Sequence, residues 1–115
     1  MDTTQVLKGL LDVAVLAVVA REDGYGYHIV RRLRQAGLTE IGDASVYGTL
    51  RRLFAAGLLT AYVVPSDEGP HRKYYGITGL GRAQLESSAK DWAHLRQTVD
   101  HLLADVGLSG GAPND

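Results

Sequence analysis

Asp43 to Gly57, followed closely by Val63 to Tyr75, constrains this chain more than any other stretch. DASVYGTLRRLFAAG puts Val46, Leu50, Leu53 and Phe54 on one side of a helix. Ser45, Gly48, Arg51, Arg52 and Ala55 fall on the other side, with Tyr47 on the flank. Asp43 suits the N-cap, where a carboxylate accepts the unsatisfied amide N–H groups of the first turn, and Gly57 suits the stop. VVPSDEGPHRKYY reads as a β-hairpin whose loop is confined by Pro65, Gly69 and Pro70, with His71, Arg72 and Lys73 at its tip. A helix with small polar and Arg side chains outward, followed by a basic hairpin, is the layout of a winged helix-turn-helix. Such a layout fits a DNA groove.

The rest of the pattern is consistent with that frame. About Val6 to Ala20 is a helix apolar nearly all round, with Leu7, Leu10, Leu11, Ala14, Leu16, Val18 and Val19, so it must be covered on several sides. Arg21 to Gly24 is a turn. Tyr25 to Ala36 is a second helix, with Ile29, Leu33 and Ala36 inward, Arg31, Arg32 and Arg34 outward, and Gly37 as its stop. Leu38 to Gly42 is the short connection to the third helix. Leu58 to Val64 and Lys73 to Ile77 have strand composition, and Thr78 caps a final helix running to about Asp105. The expected architecture is mainly α with a small β-hairpin. A winged helix-turn-helix domain over 1–78, its N-terminal helix contributing to a dimer, leads into a C-terminal dimerisation helix over 79–106 and a disordered tail over 107–115.

Bulk properties exclude several classes. At 115 residues with 45% hydrophobic and 22% charged residues, the chain is one domain of ordinary globular composition. It has no cysteine, which excludes disulfides and thiolate metal sites. The longest apolar run, Val13 to Ala20, is too short to span a bilayer, and no signal peptide is apparent, so no membrane association and a cytoplasmic location are expected. Ser87 and Ser88 have no evident base–acid partners and no phosphate-cradling Gly loop follows a strand, so an enzyme is not expected, nor a cofactor. Net charge is −1, but its distribution matters more. The segment from Val30 to Tyr75 is moderately basic, whereas from Glu86 on, Glu86, Asp91, Asp100, Asp105 and Asp115 outnumber Lys90 and Arg96.

Several residues are candidates for reading DNA. Arg51 and Arg52 suit phosphate or a guanine edge, and Ala44 or Thr49 suits a thymine methyl. Gly48 costs about 1 kcal/mol relative to Ala in mid-helix. Either the helix backbone approaches a DNA edge there, or a neighbouring side chain packs over it. Arg72 and Lys73 suit the minor groove or its phosphates. Of Tyr74 and Tyr75, alternation sends one ring to the core and the other outward, without deciding which.

These motifs together resemble the PadR family of transcriptional regulators, over about Leu7 to Leu103. The resemblance rests on Leu7-Lys8-Gly9, on Gly26-Tyr27-His28-Ile29, on Ser45-Val46-Tyr47-Gly48-Thr49-Leu50-Arg51-Arg52-Leu53 with Gly57-Leu58, and on Gly69-Pro70-His71-Arg72-Lys73-Tyr74-Tyr75 leading to Thr78 and Gly81. Gly48 departs from it, since many members carry Pro after the Tyr. The resemblance implies that Tyr47 and its neighbours lie at the major groove, and that the wing from Pro70 to Tyr74 meets backbone or minor groove. It also implies phosphate contacts for Lys8 and Tyr27, where the residues alone suggest a solvated Lys8 and a core Tyr27. Dimerisation through the first and last helices is implied as well.

In the last helix, Leu85, Ala89, Trp92, Leu95, Val99, Leu102 and Val106 recur at near-heptad spacing, with Arg96 beside them. Such a seam on a helix about 40 Å long needs a second chain. A twofold homodimer would also set two recognition helices about one DNA turn apart, on a palindromic operator. Trp92 is an interface anchor or, by the resemblance, part of a site for a planar aromatic effector. The favoured function is a homodimeric DNA-binding repressor released by a small molecule. A metal sensor using His94 and His101 at the dimer seam, with Asp91, Asp100 and Asp105 nearby, to hold zinc or nickel is a second class, and a winged-helix adaptor for protein a third.

Overall fold

The computed structural model of the chain describes residues 3–108, with side chains from Leu10 onward. The elements are α1 (Thr3–Arg21), β1 (Gly24–Tyr25), α2 (Gly26–Gln35), α3 (Asp43–Ala55), β2 (Leu59–Val64), β3 (Arg72–Ile77) and α4 (Gly79–Asp105). The expected winged helix-turn-helix order is present, with one addition. Gly24–Tyr25, expected within a turn and a helix start, pairs with Tyr74 and Tyr75 and turns the hairpin into an antiparallel sheet of order β1-β3-β2. The side chain of Lys8 and the tail from Ser109 to Asp115 lie outside the described residues. The chain divides into two compact units, Met1–Leu85 and Glu86–Asp115.

In the first unit α1 lies at the centre of the core. Leu11, Val15, Leu16 and Val19 are buried with Ile29, Val30 and Leu33 of α2, Ile41, Val46, Leu50 and Leu53 of α3, Leu59 and Tyr75. Ala17 alone is exposed between Leu10 and Ala20, which is why an almost unbroken apolar run folds as this helix. Each fully buried Leu, Ile or Val contributes about 1.5–3 kcal/mol relative to exposure. Both helices of the helix-turn-helix stop at left-handed glycines. Gly37 has φ 124° and the Leu38 N–H donates to the Leu33 carbonyl at 3.1 Å; Gly57 has φ 80° and Leu58 donates to Leu53 at 3.0 Å.

Several expected placements change. Gly42, not Asp43, is the N-cap of α3, and no side chain caps it. Asp43 instead accepts from Arg34 Nη2 at 2.8 Å, and the same nitrogen donates to the Ile41 carbonyl at 2.9 Å, bracing the turn between α2 and α3. Arg32, expected outward, folds back: Nη2 donates to Glu22 Oε1 at 2.6 Å and Nη1 to the Glu22 carbonyl at 2.8 Å. Ala36 is exposed, as the C-cap residue of α2. Phe54 is also exposed, at 46%. Val46, Leu50 and Leu53 fill the inward stripe, and position 54 emerges about 100° further round.

Thr78 caps α4 as expected. Its hydroxyl accepts the Gly81 N–H at 3.0 Å and donates to the Gly57 carbonyl at 2.8 Å. A Cβ at Gly81 would collide with the Leu58 carbonyl, so this start of α4 is held closely against the α3–β2 connection. Leu85, expected in the partner-facing seam, is half-buried against the core of the first unit, so it serves the monomer.

In the second unit, α4 continues to Asp105 and closes with the Leu108 N–H on the Leu103 carbonyl at 2.8 Å and Gly107 at φ 80°. Trp92, Leu95, Val99, Leu102 and Val106 are all exposed.

One ion pair joins α1 to α3. Arg52 Nη1 and Nη2 donate to Asp12 Oδ2 and Oδ1 at 2.8 and 2.6 Å. These donors hold the Asp12 carboxyl below its ordinary value, against a smaller opposing effect of burial. A depressed carboxylate stabilises the fold above the unfolded-state value near roughly pH 4, and that contribution disappears as pH falls through the lower folded-state value. Both side chains are about half exposed, so solvent screening limits the pair to about 0.5–1 kcal/mol. Asp12→Asn is expected to lose that amount in urea denaturation at pH 7, less in high salt, and the difference from wild type should shrink toward zero as the pH is taken well below 4.

Candidate nucleic-acid interface

Because Val46, Leu50 and Leu53 are sunk into the core, the opposite side of α3 is fixed outward. Ala44, Ser45, Tyr47 and Arg51 are exposed there and Gly48 is partly so. Thr49 is not part of this face. It is 5% exposed and its hydroxyl donates to the Ser45 carbonyl at 2.8 Å, which corrects its expected contact with a base. Arg52 faces solvent but is committed to Asp12, so its role is to brace α3 against α1 rather than to reach a base.

Tyr47 leans over the start of α2. A Cβ at Gly26 would collide with its ring, so the glycine makes room for this packing. Beside it, Tyr25, Gly26, Tyr27, Tyr47, Arg72, Lys73 and Tyr75 line an open recess of about 350 Å³. The fold thus brings the α2 signature, the flank of α3 and the first residues of β3 to one place. α2 has no side-chain cap, and its first amide N–H groups give this end a partial positive charge. Tyr27 is 53% exposed, which corrects the core placement suggested by the residues alone. It carries the Arg31 guanidinium 5.8 Å from its ring centroid.

The wing cations are not at the tip, where they were expected. Arg72 and Lys73 belong to β3, paired with Val64 and Val63, and the tip is the exposed loop 65–71 that includes Pro70 and His71. Alternation sends the two cations to opposite faces. Arg72 lies 4.6 Å over the Tyr25 ring, whereas Lys73 Nζ lies 5.7 Å from the Phe54 ring and 5.8 Å from that of Tyr75. The open choice between the two tyrosines is settled: Tyr75 is the core residue, and Tyr74 lies on the other face between Tyr25 and Tyr62, with centroids 5.5 and 5.9 Å away. Tyr62 donates to Asp23 Oδ2 at 2.5 Å, a bond that pushes its phenol up from the ordinary value. Sequence reasoning passed over Tyr25, since a two-residue strand shows no alternation to mark it.

A recognition helix with a small, polar and cationic outer face, flanked by a basic strand and an uncapped helix start, defines a winged-helix DNA-binding protein. Residues 15–87 match the Transcriptional regulator PadR-like family, and the chain belongs to it. It is similar to a PadR-like transcriptional regulator of Bacillus cereus, with 36% identity, a TM-score of 0.77 and coverage of 86% of this chain and 96% of that one. A PadR family regulator of Eggerthella lenta gives 32% identity, a TM-score of 0.78 and 87% coverage of each chain. An uncharacterised protein of Lysinibacillus sphaericus is 32% identical over 105 residues, 90% of this chain and 96% of its own length. The protein is therefore a DNA-binding regulator of transcription rather than an enzyme. No described helix is long and apolar enough to cross a membrane.

Arg72→Ala and Lys73→Ala are each expected to weaken binding to all duplex sequences alike. Each should lower the slope of log affinity against log salt by about 1 per bound chain, read by fluorescence anisotropy across a salt series. A slope unchanged by both substitutions contradicts the placement of the wing at the phosphates.

Proposed function

We propose that the chain is a homodimeric repressor that binds a palindromic operator in the cytoplasm and is released by a small planar molecule. The observation that carries the DNA-reading part is the convergence of Tyr27, Tyr47, Arg72 and Lys73 on one recess beside the outward face of α3. In this reading Lys8, Tyr27, Arg51, Arg72 and Lys73 engage phosphates and set the register. Ala44, Ser45, Tyr47, Gly48 and Arg51 read base edges, while Pro70, His71 and Tyr74 shape the wing.

The dimer rests on α4. Ala89, Trp92, Leu95, Arg96, Val99 and Leu102 are exposed on it, and the large apolar members recur at intervals of three and four residues. Isolated exposed apolar residues are ordinary, but a periodic row of them on one helix favours a second copy. Trp92, 40% exposed, supplies a ring on which a flat effector stacks. Effector binding then biases the angle between the two long helices and hence the spacing of the reading heads. The metal-sensing alternative, with His94 and His101 at the dimer seam, needs two copies of α4 and draws no support from the single chain, where both imidazoles are exposed and, among the described residues, no three metal-ligating side chains come together.

Selection from a random duplex pool should yield an inverted repeat with half-sites about one helical turn apart. Replacing Leu95 and Leu102 together by Glu should give a monomer in sedimentation velocity, with operator affinity lowered at least about 100-fold through loss of the bivalent contact. Full operator affinity in a monomeric variant rules the dimer out as the binding unit.

A further inference from the structure

The described glycines without a positive φ divide by what their missing Cβ permits. At Gly26 and Gly81 a Cβ would strike the Tyr47 ring and the Leu58 carbonyl, so their absence of a side chain serves the fold. At Gly48, in the middle of α3, a Cβ would meet only Arg51 Nη2, at an ordinary 3.8 Å. Backbone φ at Gly48 is not left-handed either, so no turn requires it. The packing explanation left open by the sequence is thereby excluded. A helix-interior glycine remains, destabilising by about 1 kcal/mol, with no intramolecular use.

Its position says what the space is for. Gly48 lies on the outward side of α3, one turn from Ala44, Ser45, Arg51 and Arg52, and that side carries the reading face. We infer that Gly48 is a specificity-determining residue whose missing Cβ leaves a methyl-sized gap for the C5-methyl of a thymine in the major groove. This rests on the DNA-reading assignment of α3 above. Among the base-pair edges of the major groove, only thymine presents a methyl, and a gap the size of one carbon is matched in volume by that group. The Cα of Gly48 supplies its apolar contact, and the Arg51 guanidinium, whose Nη2 lies 3.8 Å from the missing Cβ position, stays available to the neighbouring base or phosphate.

The test is a cycle between Gly48→Ala and thymine-to-uracil replacement, which removes only the methyl. On the operator selected from a random pool, wild type should lose about fourfold in affinity for each contacted thymine that becomes uracil, and so about fifteenfold when one is changed in both half-sites. G48A should melt a few degrees higher than wild type yet bind the thymine operator about tenfold or more weakly. At that same position G48A should prefer uracil to thymine, reversing the wild-type order. The inference is overturned if no single thymine-to-uracil change weakens wild type, or if G48A keeps the wild-type ratio at every position. Failure of wild type to bind any duplex would instead overturn the assignment of α3 as the reading helix, so the two failures are distinct.

Discussion

The burial of Val46, Leu50 and Leu53, at 0, 0 and 2% exposure, is the constraint from which the functional surface follows. These side chains lock into the cluster built around α1 and fix the rotation of α3 about its own axis. A rotation of one residue would bring Tyr47 or Arg51 into the core, at a desolvation cost of several kcal/mol for the charge. Every outward side chain of α3 is therefore set by residues that never meet DNA. Arg52 and Asp12 add a polar brace to this packing, and Arg34 holds the turn that delivers α3 by gripping Ile41 and Asp43.

Charge is used in two ways that its sequence distribution does not separate. Arg32, Arg34 and Arg52 are taken up by Glu22, Asp43 and Asp12, so three arginines of the basic middle segment stabilise the fold. Among the described residues Arg51, Arg72 and Lys73 are in no ion pair, and they surround the recess and the outer side of α3. A net charge of −1 is compatible with DNA binding because Arg51, Arg72 and Lys73 lie on the reading side without an acidic partner among the described residues, and local distribution rather than the sum sets the field a phosphate meets.

The fold was largely readable because its signals are periodic. The apolar spacing in α1 and α3, the stops at Gly37 and Gly57 and the Thr78 cap all have local causes. What escaped depended on contacts distant in sequence. Thr49 looks like a surface residue in an amphipathic pattern, but the bond from its hydroxyl to the Ser45 carbonyl lets it bury. Arg52 could not be assigned to the fold without knowing that Asp12, 40 positions away, lies opposite. Arg72 and Lys73 appeared to be tip residues because strand pairing, not composition, decides where the hairpin loop begins. Placing Tyr27 outward needed the family resemblance, since an aromatic ring in an apolar pattern reads as core by itself.

Amide chemical-shift mapping of the full chain titrated with its selected operator addresses the whole surface at once. Perturbations should cluster at Gly26 and Tyr27, along Ala44 to Arg51 and at Arg72 and Lys73, three segments far apart in sequence that meet around one recess. Perturbations confined to other parts of the chain, with these three segments silent at saturating duplex, would contradict the assignment of this face to DNA.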